Sequence, residues 1–136
     1  MSKVLFDTNV YIDWMNQGLR EPLMLGPGLV RYLSAIMVME LRAGAHSRAS
    51  RLAVDQLVRS YGAGERLMTP TEAVFDRAGS TLRKLKLAGR EVRSASFVND
   101  VLIALHARAL GATVVTANIA DFAAIREVEP FSLARA

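Results

Sequence analysis

Four carboxylates stand at positions where a folded chain seldom tolerates an unpaired charge. Asp7 directly follows the apolar run Val4-Leu5-Phe6, and Glu40 lies inside the apolar stretch "AIMVMEL". Asp100 opens "DVLIALHARAL", and Asp121 comes shortly after "TVVT". A strand end in a closed core is a poor place for charge unless something cationic compensates it. Carboxylates gathered together repel one another and raise some of their own pKa values. A divalent cation resolves that conflict. The chain has no cysteine and only His46 and His106, so an all-oxygen donor set suits Mg²⁺ or Mn²⁺. Such a centre supports phosphoryl chemistry by activating water, orienting a phosphodiester and neutralising its developing charge. Spacing alone does not distinguish one ion from two.

The elements that must position these acids follow from pattern and punctuation. Residues 3–6 read as a strand, and Val10–Gln17 as a helix begun by Thr8 or Asn9 and closed by Gly18. Glu21–Leu25 forms a helical turn before the "GPG" breaker at 26–28. "LVRYL" at 29–33 is a second strand, after which Ser34 caps a helix to Gly44, although Ile36–Met39 would also suit a strand. A helix spans about Ser50–Tyr61 and "RLMTP" at 66–70 is an edge-like strand. Thr71 caps a further helix through Leu85, and 89–96 is a polar loop. Ser96 caps the strongest helix, which Gly111 stops. "ATVVT" is a buried strand, "NIADFAAI" a short helix or loop, and "REVEPF" at 126–131 a weak last strand.

This alternation predicts one α/β domain over residues 1–136, a three-layer α/β/α sandwich around a mainly parallel, about five-stranded sheet. Ligands of open parallel sheets bind beyond the carboxyl ends of the strands, where strand order reverses. Asp7, Thr116, Asn118 and Ser34 all fall at such ends, and Glu40, Asp100 and Asp121 on the helices that follow. Four separate segments thus bring their acids to one rim.

Composition narrows the rest. At 51% hydrophobic and 22% charged, the 136 residues are too apolar for a disordered chain. No apolar run approaches the roughly 20 residues that cross a bilayer, and Asp7 interrupts the N-terminal run too early for a signal peptide. A cytoplasmic protein with no membrane partner is expected. Seventeen Lys and Arg against 13 Asp and Glu leave +4, and the pI is near 10.0. That balance permits attraction to phosphate backbones without requiring it.

Four blocks, "FDTNVYID", "SAIMVMELRAG" at 34–44, "NDVLIALHA" at 99–107 and "VVTANIADF" at 114–122, resemble in order the PIN domain of VapC-type toxins. The resemblance implies an α/β/α sandwich and a Mg²⁺- or Mn²⁺-dependent ribonuclease acting on RNA. It also implies a homodimer and a small cognate antitoxin protein that blocks the site. By position it makes Asp7, Glu40 and Asp100 the main metal-binding acids and Asp121 a more peripheral fourth. Thr116 and Asn118 become polar supports; Thr8 and Asn9 match the motif, with Thr8 orienting Asp7. Residues 45–95 carry no distinguishing block.

Each feature has a plainer explanation when taken singly. Asp7 could cap the first helix, Glu40 be a solvated helix residue, and Asp100 complement a helix dipole worth about 0.3–1 kcal/mol. Asp121 could be a turn residue. Their shared order favours the site. His106 lies six positions after Asp100, on the opposite helix face. In "LRKLKLAGREVR" at 82–93, Arg90 and Arg93 are candidate RNA contacts or solvated helix-end cations in equal measure, with Arg42 and Arg48 weaker candidates. Two other functions fit a strand-end aspartate. An aspartyl-phosphate phosphatase needs a second acid two residues on, where Asn9 stands. A receiver-like, Mg²⁺-binding phospho-acceptor module needs a late-strand lysine, where Thr116-Ala117-Asn118 stand.

Overall fold

The computed structural model describes residues 2–136. Five strands, β1 (Ser2–Phe6), β2 (Leu29–Ser34), β3 (Leu67–Met68), β4 (Thr113–Thr116) and β5 (Leu133–Arg135), form one sheet in the order β3-β2-β1-β4-β5. Every pairing is parallel. Seven helices flank it: α1 (Thr8–Gln17), α2 (Glu21–Leu25), α3 (Ala35–Ala43), α4 (Arg48–Ala63), α5 (Glu72–Leu87), α6 (Ala95–Leu110) and α7 (Ile119–Val128). The chain departs from β1 toward β2 on one side and later returns to β4 on the other. The reversal point therefore lies between β1 and β4.

Strand burial follows the parallel rule that both faces are covered. Val4, Leu5 and Phe6 are all buried, as are Val114 and Val115. Helices α1, α3 and α4 pack on one another, as do α5, α6 and α7. Among the described residues no helix is long and apolar enough to cross a membrane.

Several boundaries differ from the sequence expectation, for local reasons. Asp7, not Thr8 or Asn9, is the N-cap of α1. Helix α6 starts two residues earlier than expected, because Ser94 Oγ rather than Ser96 accepts from Phe97 N at 3.1 Å. Helix α4 is longer at both ends, secured by a Ser47–Ser50 capping box. The ambiguous Ile36–Met39 segment is helical, with Ile36, Met37 and Leu41 buried at helical spacing. The strand expected at 126–131 does not exist. Residues 126–128 continue α7, whose Phe122 and Ile125 are buried one turn apart, and the last strand is Leu133–Arg135, paired with Val114–Thr116.

Helices α5, α6 and α7 are joined at Glu129, whose side chain is 1% exposed. Its Oε1 accepts from Arg77 Nε at 2.8 Å, from Arg77 Nη2, and from Arg108 Nη1 at 2.5 Å. Its Oε2 accepts from Thr81 Oγ1 at 3.2 Å, with Lys84 Nζ at 3.6 Å. Burial pushes its pKa up, but the hydrogen bonds and charges of Arg77, Thr81 and Lys84 outweigh it and hold the carboxyl below its usual range. A depressed pKa contributes stability above the unfolded value near 4.5, which is lost as pH falls through the lower folded value. Glu129→Gln should cost about 2 kcal/mol at neutral pH, since the cations left behind are half exposed and partly re-solvated. Thermal melts at stepped pH check this; the gap from the parent protein should narrow below about pH 4.

Candidate active site

Asp7 is built into the sheet edge. Its backbone N–H donates to Val115 O at 2.8 Å, extending the β1–β4 ladder by one rung. That register sets Thr116, the last residue of β4, beside it, and Thr116 Oγ1 donates to Asp7 Oδ2 at 2.9 Å. Asp7 Oδ1 accepts from Thr8 N at 2.8 Å. The plain explanation for Asp7, a helix cap, is thus correct for one oxygen only. The other is held by a residue 109 positions away in sequence.

Glu40, half-buried on α3, is held from two sides. Thr8 Oγ1 donates to its Oε1 at 2.8 Å, and Asn99 Nδ2 to its Oε2 at 3.3 Å. Thr8 therefore orients Glu40 through its hydroxyl and Asp7 only through its N–H. Asn99, one residue before Asp100, had no assigned role in the sequence. Nothing local signalled it, since its partner lies 59 positions away.

Asp100 is the sixth residue of α6, beyond the first turn where a helix dipole acts. It is not a dipole partner, and its carboxyl moves the other way. Burial, then the charges of Asp7, Asp121 and Glu40, raise its pKa from 3.8 to about 8. Asp7 is raised by burial and by Glu40 and Asp121, against the lowering hydrogen bonds from Thr116 and Thr8. Asp7 therefore lies in the field of Glu40 and Asp121, and Asp100 in that of Asp7, Asp121 and Glu40; among the described residues none of the four acids forms an ion pair. Asp121 sits in the first turn of α7.

The polar neighbours divide. Asn9 Oδ1 accepts from Ala117 N at 3.3 Å, tying α1 to the turn after β4. Asn118 N donates to Thr116 Oγ1 at 3.0 Å, while its side chain makes no cap bond on α7. Ser34 does not touch the acids. Its hydroxyl accepts from Ile36 N at 3.2 Å and pairs with His106 Nδ1 at 2.8 Å, both buried. Burial lowers the pKa of His106, so it is the neutral partner of a β2–α6 tie. Three of the four arginines considered for RNA face a carboxylate: Arg90 pairs with Glu127, Arg93 with Glu91, and Arg42 with Asp55, while Arg48 forms no ion pair among the described residues.

The donor set fits a hard divalent cation. It is all oxygen, and it sets the half-buried Asp100 near the buried Asp7 with no ion pair to either among the described residues, a state that burial penalises. Among the described residues no three His, Asp or Glu side chains are already gathered closely enough to hold an ion.

A family model of the PIN domain matches residues 4–128. No curated protein matches the sequence. The fold is similar to that of a chain in VapBC-1 from nontypeable Haemophilus influenzae, with 27% identity, a TM-score of 0.73, and coverage of 98% of this chain and 97% of that one. A chain in FitAcB from Neisseria gonorrhoeae gives 25%, 0.64, 96% and 95%. DNA-bound VapBC from Salmonella typhimurium gives 24%, 0.73, 99% and 98%.

Asp100 carries a pH signature. A carboxyl raised from 3.8 to about 8 contributes stability fully below the lower value and loses it as pH rises through the upper one. Chelator-treated protein should therefore melt at lower temperature at pH 8.5 than at pH 6. Asp100→Asn should remove most of that slope, and Mg²⁺ or Mn²⁺ should raise the parent melting temperature most at the alkaline end. Parallel pH slopes for parent and variant would contradict the coupling of the acids.

Proposed function

The chain belongs to the PIN-domain family, and from that membership we propose that it is a divalent-metal-dependent endoribonuclease, the toxin of a VapBC-type toxin–antitoxin pair. The observation that supports this reading is that the charges of Asp7, Glu40 and Asp121, from three other segments, act on Asp100, while none of the four acids has an ion-pair partner among the described residues. Mg²⁺ or Mn²⁺, held by these carboxylates, would supply Lewis-acid activation of water and charge neutralisation at the phosphodiester. The reaction is hydrolysis by in-line attack of water, leaving a 5′-phosphate and a 3′-hydroxyl.

The chain's own residues prepare that site. Thr8 N–H and Thr116 Oγ1 fix both oxygens of Asp7. Thr8 Oγ1 and Asn99 Nδ2 fix both oxygens of Glu40. Each carboxylate is presented in one orientation, the arrangement that outer hydrogen bonds give to metal-binding acids. Asp100, its carboxyl raised to about 8, would give up its proton where it helps to hold a cation.

A partner follows from the similar structures. One chain of similar fold belongs to a toxin-antitoxin complex from Klebsiella pneumoniae, and this chain is proposed to bind a small cognate antitoxin, to dimerise and to act in the cytoplasm.

Purified protein should cleave RNA in Mg²⁺ or Mn²⁺, and EDTA or Asp7→Asn should abolish cleavage. Product ends are read by phosphatase sensitivity and ligation. Full activity in Asp7→Asn would end the assignment. Asn99→Ala should slow the reaction by about tenfold through a misdirected Glu40, with the thermal melt little changed.

A further inference from the structure

Two surface hollows meet where α3 passes into α4. One, of about 490 Å³, lies between α1 and α4 and has Glu40 on its wall with Met15, Ala49 and Ala53. The other, of about 450 Å³, is lined by Arg42, Ala45, Arg48, Arg51, Leu52 and Asp55. Ala45 borders both. Glu40 and the three guanidinium groups thus line two neighbouring hollows that share Ala45.

The charge there is not balanced by the protein. Arg48, Arg51, Leu52 and Asp55 fall at i, i+3, i+4 and i+7 of α4 and so share one face. The single acid, Asp55, is taken by Arg42 at 2.7 Å. Among the described residues, Arg48 and Arg51 form no ion pair; Arg51 Nη1 reaches only His46 O, at 3.4 Å. Both also lie within the first four residues of a 16-residue helix whose first turn contains no acid. Cations near a helix N-terminus are disfavoured by the backbone dipole, by some tenths of a kcal/mol each. The capping box uses Ser50 where a glutamate would have supplied compensation. Arginines so placed lower the local stability unless an anion sits among them.

We propose that the Arg42–Arg48–Arg51 hollow holds a backbone phosphate of the RNA substrate, beyond the phosphodiester at the acids. This rests on the nuclease function proposed above and assigns its substrate a second anchor. Guanidinium groups match phosphate oxygens in paired hydrogen bonds, which makes arginine the fitting residue for such a contact. The anchor also answers an electrostatic difficulty. An acid-lined site repels a polyanion, and a basic hollow next to the one that Glu40 lines supplies the attraction that the acids lack.

The test is Arg48→Glu/Arg51→Glu. Acids at these positions favour the helix dipole, so the variant should fold and melt like the parent. Cleavage in Mn²⁺ is measured on single-stranded RNAs of mixed sequence and increasing length. For the parent, KM should fall once the RNA reaches the hollow. For the double variant, KM on long RNA should rise about tenfold with kcat unchanged, the shortest cleavable RNA should be unaffected, and the salt dependence of binding should weaken by roughly 0.7 per lost phosphate contact. Equal KM values on long RNA would overturn the proposal, as would equal KM values accompanied by loss of antitoxin binding, which would give the hollow to a protein partner. If the parent cleaves no RNA, the nuclease function fails by itself. Fluorescence anisotropy with the same RNAs then decides the hollow: weaker binding by the double variant supports it and equal binding removes it.

Discussion

The parallel pairing of β1 with β4 is the constraint on which the site depends. One further backbone bond, Asp7 N–H to Val115 O, carries the ladder past the last strand residue and sets Asp7 beside Thr116. A slip of one residue would turn every side chain of β1 to the other face of the sheet. Asp7 would then lose Thr116, and α1, which starts from Asp7, would leave Glu40 without Thr8. The buried run Val4-Leu5-Phe6 against Val114-Val115 makes such a slip costly, because both faces of these strands are covered. Core packing and site geometry are therefore fixed by the same few residues.

The fold treats two sets of buried acids in opposite ways. Glu129, enclosed by Arg77, Lys84, Arg108 and Thr81, has its charge answered within the protein, and its carboxyl is held below the usual range. Asp7 and Asp100 are surrounded by other acids and are raised. Both environments are desolvated, so the difference is the sign of the neighbouring charge. A cluster left uncompensated in a chain able to compensate Glu129 so fully is the mark of a site whose partner comes from outside.

Much of this was legible along the chain because the relevant signals are local. The carboxyl-end position of Asp7 and Thr116 followed from apolar runs bounded by polar residues, and the parallel α/β order followed from alternation. The last strand was misplaced because "REVEPF" mixes apolar and polar residues in a way that suits either period over so short a span. The burial of Phe122 and Ile125 one turn apart decides for helix. Asp100 was assigned to a helix end because Ser96 and Ser94 are equally good caps by type. Two residues of shift changed its environment from a favourable dipole to a repulsive cluster. Glu129 had no local signal, since its partners come from α5 and α6, and neither did the Thr8–Glu40 and Asn99–Glu40 contacts, which span 32 and 59 positions.

Those long-range contacts also explain why the acids are ordered without being collapsed. In partly buried surroundings the repulsion between like charges is screened less than in water. The site holds Asp7 and Glu40 in place with neutral donors, a backbone N–H, two hydroxyls and an amide, instead of cations. Neutral donors fix direction without cancelling charge. A lysine or arginine in the same positions would have ordered the carboxylates equally well and removed their attraction for a divalent ion. Thr8, Asn99 and Thr116 thus order Asp7 and Glu40 and leave their charge uncancelled.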